Sequence, residues 1–141
     1  MAENCLFCKI ARGEIPSKRV YAGPDVYAFM DINPVTRGHC LVIPRAHAVK
    51  LHELPSDAAA SLGAALPKIA AAVCEATGAS DYNVLNNNGM VAGQLVSHVH
   101  FHIIPRYSDD SYTHPFVPRA YETTQEEIGA VAELIAANVE K

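Results

Sequence analysis

Hydrophobic positions along the chain change period several times, and each change predicts an element. Between Ser56 and Thr77, Leu62, Leu66, Ile69 and Val73 recur every three to four positions, the spacing of one helix face. Gly78 follows as a natural left-handed cap. Pro67, inside the run, should kink the helix or interrupt its hydrogen-bond ladder. A second helix starts at Thr124, where Thr124 and Glu127 can form a capping box and Ile128, Val131 and Ile135 share a face. A short helix fits residues 5–13, with Gly13 as its stop. Strands are predicted at 19–21 and 26–31 around the turn-forming AGPD, and at 39–43 between Gly38 and Pro44. Two more, at 82–85 and 97–104, flank the loop NNNGMVAGQ.

Strands therefore follow one another in hairpin-like succession, with one long helix inserted and another appended. That is an α+β layout with a largely antiparallel sheet, not alternating βαβ units. No repeat, low-complexity block or Gly/Ser linker divides the chain, and 141 residues suit one domain over 1–141. Within it, the N-terminal segment covers about 5–13, and an irregular tract plus the last helix cover about 107–141.

Composition excludes several classes of function. Half the residues are hydrophobic and 18% charged, which rules out a disordered chain. Fifteen acids against eleven bases give a net charge of −4 with no long basic run, so a nucleic-acid partner is not expected. No stretch approaches the ~20 apolar residues of a membrane span, so no membrane partner is expected either. The start, MAENCLFCKI, carries Glu3 and too short an apolar run for a secretory signal. A cytoplasmic location follows, where Cys5, Cys8, Cys40 and Cys74 stay reduced.

The unusual count is seven histidines, and three of them stand in HVHFHII. On a strand, His98, His100 and His102 share one face while Val99, Phe101 and Ile103 take the other. At roughly 3.3 Å per residue the outer two lie ~13 Å apart, too far to share one ion easily but well placed to serve adjacent sites. The chemical rival is a mononuclear metal site on two of these histidines, which would leave the preceding loop without a role. In that loop Gly89 and Gly93 permit amide groups to converge on an anion, and Asn87 and Gln94 add neutral donors. His39 opens the third strand and gains interest only from this company.

Cys5 and Cys8, three apart on a helical turn, can present two thiolates to one zinc ion. Redox activity or plain packing of free thiols would use the same spacing, although no thioredoxin-like βαβ context is present. Burial accounts for Cys40 and Cys74. His52 and His114 are expected to be exposed.

His-hydrophobic-His-hydrophobic-His followed by two hydrophobic residues resembles the signature of the histidine triad (HIT) superfamily. FMDINPVTRGHCLVIPRAH resembles its upstream strand pair, and NNNGMVAGQLVSHVHFHIIPRY its active-site loop and strand. The resemblance runs from about Cys5 to Tyr107 and is nearest to small bacterial, HINT-like nucleotide hydrolases. It implies a five-stranded antiparallel sheet with two main helices, and a homodimer whose sheets join into ten strands.

The resemblance also implies an enzyme that cleaves purine nucleotide conjugates at the α-phosphate, phosphoramidates above all, releasing AMP or GMP. His100 would form a nucleotidyl-histidine intermediate, its ring held by the His98 carbonyl. His102, His39 and Gln94 would contact the phosphate. Asp31 would hold the ribose, with Phe29 and Ile32 near the base and Asn87 and Gly93 on the nucleotide-binding loop. A structural zinc would take Cys5, Cys8, His47 and His98, and no catalytic cofactor is needed. Leu95 stands where many relatives carry Ser or Thr, and the Trp-containing C-terminus of eukaryotic HINT proteins is missing. The alternatives are a dinucleoside polyphosphate hydrolase and a nucleotide-binding regulatory module with vestigial catalysis.

Overall fold

The computed structural model describes residues 2–110 and 121–140. His114 and most of the irregular tract fall outside those residues. Five strands, β1 (Arg19–Ala22), β2 (Val26–Met30), β3 (Cys40–Pro44), β4 (Asp81–Asn86) and β5 (Phe101–Arg106), form one sheet in the order β1-β2-β3-β5-β4. Every neighbouring pair is antiparallel. The main helices are α2 (Ser56–Thr77), between β3 and β4, and α3 (Gln125–Val139), while α1 (Leu6–Ala11) precedes the sheet. This is the expected α+β arrangement.

Strand alternation divides the core in two. On one face Ala28, Met30, Cys40, Val42 and Ile103 meet Leu62, Ile69 and Val73 of α2 and Ile128, Val131 and Ile135 of α3. On the other, Tyr27, Phe29, Leu41 and Ile43 meet Phe7, Cys8 and Ile10 of α1. β2 and β3 are therefore buried along their whole length, which explains their near-continuous apolar sequence. The periodicity of α2 and α3 is thus the imprint of one helix-covered face.

Helix ends follow local chemistry. Gly78 takes φ 77° and its N–H reaches the Cys74 carbonyl at 2.9 Å, closing α2 in a conformation a Cβ would strain. Thr124 and Glu127 complete the capping box at the start of α3. α2 runs through Pro67 without ending there, and of the two expected effects the interrupted ladder bond is the one that the residue imposes. The carbonyl four residues back, which Pro67 has no N–H to meet, belongs to exposed Gly63, where solvent can reach it. At 22 residues α2 is also long and apolar enough to cross a bilayer, contrary to the sequence expectation. Its apolar face is spent on the sheet and on α3, which makes it a core helix.

The largest correction concerns the histidine strand. β5 begins at Phe101, not at residue 97, and continues through Pro105 to Arg106. Its ladder with β3 stops at Val42↔Phe101, two residues short of Pro44, which has no N–H to offer. Upstream of that point the Val99 N–H turns to the Ala48 carbonyl at 2.8 Å. Pro105 is tolerated because β3 pairing ends at Ile103, and the Thr36 hydroxyl takes the Pro105 carbonyl at 2.7 Å.

Candidate active site

Leaving the ladder early does not scramble the faces of the triad. Val99, Phe101 and Ile103 still pack with the helix-covered core, and the three imidazoles occupy the other side. They are not equivalent there. The His98 ring stands 5.1 Å from that of His47, whereas the His100 and His102 rings stand 5.1 Å from each other. His100 is also edge-on to Phe7 at 5.1 Å.

Hydrogen bonds fix each tautomer. His100 Nδ1 lies 2.7 Å from the His98 carbonyl, which can only accept, so Nδ1 carries the proton and Nε2 keeps its lone pair. The Asn86 side chain donates to the His100 carbonyl at 3.0 Å and steadies the backbone there. His39 Nδ1 accepts the Val35 N–H at 3.0 Å, so its proton resides on Nε2. Nε2 then donates to His102 Nδ1 at 2.9 Å, with Asp31 Oδ2 at 3.5 Å beside it. His102 is left with an Nε2–H. Burial favours this neutral array: it pushes His39 down to about 3 and His102 down to about 4, and it lowers His100 as well.

His39, His100 and His102 line a cavity of about 380 Å³, together with Phe29, Asp31, Ile32, Asn87 and Gly93. The expected nucleotide-site residues are thus brought together, with one exception. Gln94 is buried, its Oε1 accepts the Gly89 N–H and its Nε2 donates to the Val49 carbonyl, both at 2.7 Å. It braces the loop and does not face the cavity. The expected anion cradle is also altered, since the N–H groups of Ala92, Gly93 and Gln94 bond inside the loop. Burial raises the Asp31 carboxyl, and the Asn33 N–H on its Oδ1 at 2.8 Å partly offsets that rise. Phe7, Val35, Val49 and Asn86 escaped the sequence reading. Only Phe7, set between the two cysteines, and Asn86, first in the Asn run, carried any signal.

Two clusters bring metal-ligating atoms within 4.8 Å of one another. In the first, His98 Nδ1 lies 3.3 Å from Cys5 Sγ, 3.5 Å from Cys8 Sγ and 3.2 Å from His47 Nδ1, and His47 Nδ1 is 3.4 Å from Cys8 Sγ. A tetrahedral zinc with bonds of ~2.05 Å to nitrogen and ~2.3 Å to sulfur needs edges of about 3.3 Å for N···N and about 3.6 Å for S···N. The donor set fits. His98 Nε2 donates to the Pro44 carbonyl at 2.8 Å, which leaves Nδ1 as the ligand atom.

The second cluster, Asp31, His39 and His102, fits poorly. His39 Nε2 could ligate only if its proton moved to Nδ1, the atom that already accepts the Val35 N–H. Of the other residues considered above, Cys40 is fully buried with its thiol pushed up to about 12, Cys74 is half-buried and His52 is exposed.

The HIT domain family model matches residues 12–109. This chain belongs to the HIT family. It is 51% identical over 106 residues to Protein hit of Bacillus subtilis, covering 75% of this chain and 73% of that one. It is 40% identical over 136 residues to an adenosine 5′-monophosphoramidase of Schizosaccharomyces pombe, covering 96% and 98%. A zinc-bound histidine triad protein from Mycobacterium smegmatis superposes with a TM-score of 0.84 at 33% identity, covering 99% of this chain and 96% of that one.

The neutral array has a consequence for acid stability. In the unfolded chain His39 and His102 take up protons near the ordinary pKa of about 6.5, but in the fold they do so only at about 3 and about 4. Their contribution is therefore complete above pH ~6.5 and lost progressively as pH falls toward ~4 for His102 and ~3 for His39. Nitrogen-detected NMR should show both rings neutral and Nε2-protonated at pH 5.5, while the denaturation midpoint already falls between pH 7 and 5. Imidazolium signals from either ring at pH 5.5 would contradict this arrangement.

Proposed function

We propose that this HIT-family chain hydrolyses purine nucleoside 5′-phosphoramidates through a nucleotidyl-histidine intermediate on His100. The carrying observation is the 2.7 Å contact of His100 Nδ1 with the His98 carbonyl, which leaves the Nε2 lone pair for attack. The full-length likeness to the Schizosaccharomyces pombe phosphoramidase supports the substrate class. Nε2 attacks the α-phosphorus and the P–N bond breaks. The departing nitrogen takes a proton from water. A second water then attacks phosphorus, the P–Nε2 bond breaks and the nucleoside monophosphate leaves. The His102 Nε2–H, backed by His39, donates to a phosphoryl oxygen as charge builds there. Asp31 holds the ribose hydroxyls, Phe29 and Ile32 flank the base, and Asn87 and Gly93 border the nucleotide. Gln94 is a positioning residue.

Cys5, Cys8, His47 and His98 would hold a zinc ion whose contribution is structural: it ties α1 to the segment that carries the nucleophile. A reducing, cytoplasmic compartment suits those thiols. The chain acts as a homodimer, joined edge to edge through β4. Tyr82 and Val84 are exposed on that edge strand, an apolar edge that a monomer would ordinarily protect with charge.

Wild-type protein should release AMP from adenosine 5′-phosphoramidate, and His100→Ala should lower kcat by at least about 10³-fold while still binding AMP. Unchanged turnover in that variant would overturn the covalent mechanism. Protein purified without chelator should contain one zinc per chain, and Cys5→Ser with Cys8→Ser should lose it along with several degrees of Tm; metal-free protein of equal stability would refute the structural zinc. Sedimentation should give the mass of two chains, reduced to one by Val84→Lys. A wild-type monomer at micromolar concentration would end the dimer proposal.

A further inference from the structure

His100 lies one residue beyond the end of both ladders that flank β5. Pairing with β3 stops at Val42↔Phe101, and pairing with β4 stops at Asn86↔Phe101. At the His100 carbonyl a side chain takes over from the strands: Asn86 Nδ2 donates to it at 3.0 Å. Asn86 is engaged in turn, because its Oδ1 accepts from Asn88 Nδ2 at 2.6 Å. Asn88 Oδ1 then accepts the Leu51 N–H at 2.8 Å. Two side-chain amides thus join the main chain at Leu51 to the main chain at His100.

The groups at the two ends give this chain a direction. A carbonyl only accepts and an N–H only donates, so Asn86 must present Nδ2 to His100 and Asn88 must present Oδ1 to Leu51. The atoms left over, a donor on Asn88 and an acceptor on Asn86, make the middle bond. Flipping either amide would lose two bonds at once. The far end is well founded. Leu51–Glu53 forms one 3-10 turn, whose first N–H groups have no partner inside it. The Lys50 N–H goes to Glu53 Oε1 at 2.9 Å, and the Leu51 N–H goes to Asn88.

We propose that Asn86 and Asn88 are positioning residues for the nucleotidyl transfer, a relay that fixes the His100 main chain relative to the nucleotide loop. This rests on the phosphoramidase reading and deepens it. Asn87, between them, lines the cavity, and its two neighbours do not. In the run of three asparagines the middle one therefore serves the ligand and the outer two serve the nucleophile. A ligand seated against Asn87 finds His100 at a set offset, because the residues on both sides of Asn87 are tied to the His100 carbonyl. Aspartate at position 88 keeps the shape and the bond from Leu51, but its carboxylate has no donor for Asn86. A small misplacement of a reacting group lowers the rate of the chemical step and leaves ligand binding largely intact.

The test measures kcat and KM for adenosine 5′-phosphoramidate in wild type, Asn86→Ala, Asn88→Ala, Asn88→Asp and the double alanine variant, with circular dichroism to check each fold. Asn88→Asp, which keeps the shape, guards against a truncation that fails to fold. In the single variants kcat should fall about 10-fold while KM and the Kd for AMP stay within about three-fold of wild type. Two amides acting in series predict a double variant no slower than Asn86→Ala, whereas independent structural roles predict losses that multiply. Multiplying losses, a loss carried by KM alone, or kcat within about two-fold of wild type in Asn86→Ala and Asn88→Asp overturns the relay while the phosphoramidase reading stands. A second readout needs no turnover: nitrogen-detected NMR should show His100 as a single Nδ1–H tautomer in wild type and as a mixture of tautomers in Asn86→Ala. A wild type that binds AMP and cleaves no phosphoramidate overturns the phosphoramidase reading. The tautomers then decide the relay, which falls if His100 keeps its single form in the variant.

Discussion

The hydrogen bond from His100 Nδ1–H to the His98 carbonyl is the contact from which the rest of the site takes its form. An imidazole has two nitrogens and, when neutral, one proton, so occupying Nδ1 with a donated bond leaves the lone pair on Nε2. That carbonyl is itself positioned from the far side. The His98 ring donates to the Pro44 carbonyl and directs Nδ1 at Cys5, Cys8 and His47. One residue therefore meets the N-terminal helix with its side chain and orients the His100 ring with its backbone. The early end of the ladder keeps the Pro44 carbonyl from the Val99 N–H, which turns to Ala48 instead, and leaves that carbonyl to the His98 ring.

The same proton accounting separates two clusters that look alike on paper. Each brings histidines and acidic or thiol ligands within 4.8 Å. Around His98, backbone carbonyl acceptance puts the proton on the outer nitrogen and turns a lone pair inward, where a cation can use it. Around His39, a backbone N–H is bonded to Nδ1 and forces the proton inward, where it is donated to His102. Carbonyl against amide at the second nitrogen decides between a ligand and a hydrogen-bond donor, although the side chains are identical.

Much of the fold was legible because each helix covers a single sheet face. The period of Leu62, Ile69 and Val73 and the cap at Gly78 gave α2 correctly to both ends, and the Thr124–Glu127 capping box announced α3. Alternation in HVHFHII told which histidines oppose the core, and this survived even though the strand was placed four residues too early. That boundary was hidden because its cause is the missing N–H of Pro44, a residue 57 positions upstream of Phe101 in the chain. The partners of Gln94 were hidden for a related reason. An amide in a Gly-rich loop beside three histidines suggests a phosphate ligand, but its partners, Gly89 and Val49, are known only once the loop has folded onto 49–51. Spacing along the chain reports faces well and reports long-range hydrogen-bond partners badly.

Neutrality of the cavity also bears on how the site manages desolvation. A buried cation would hold phosphate more strongly in the ground state, yet it must itself be stripped of water and, in the empty site, would pair with Asp31. Neutral imidazoles avoid that competition. Their N–H dipoles are already aimed, so little rearrangement would be needed if charge grew on a bound ligand. The depression of His39 to about 3 and His102 to about 4 is the cost of burying them, and it keeps both in the donor form across the neutral range. An array of this kind draws its strength from orientation instead of net charge, which suits a single developing negative charge.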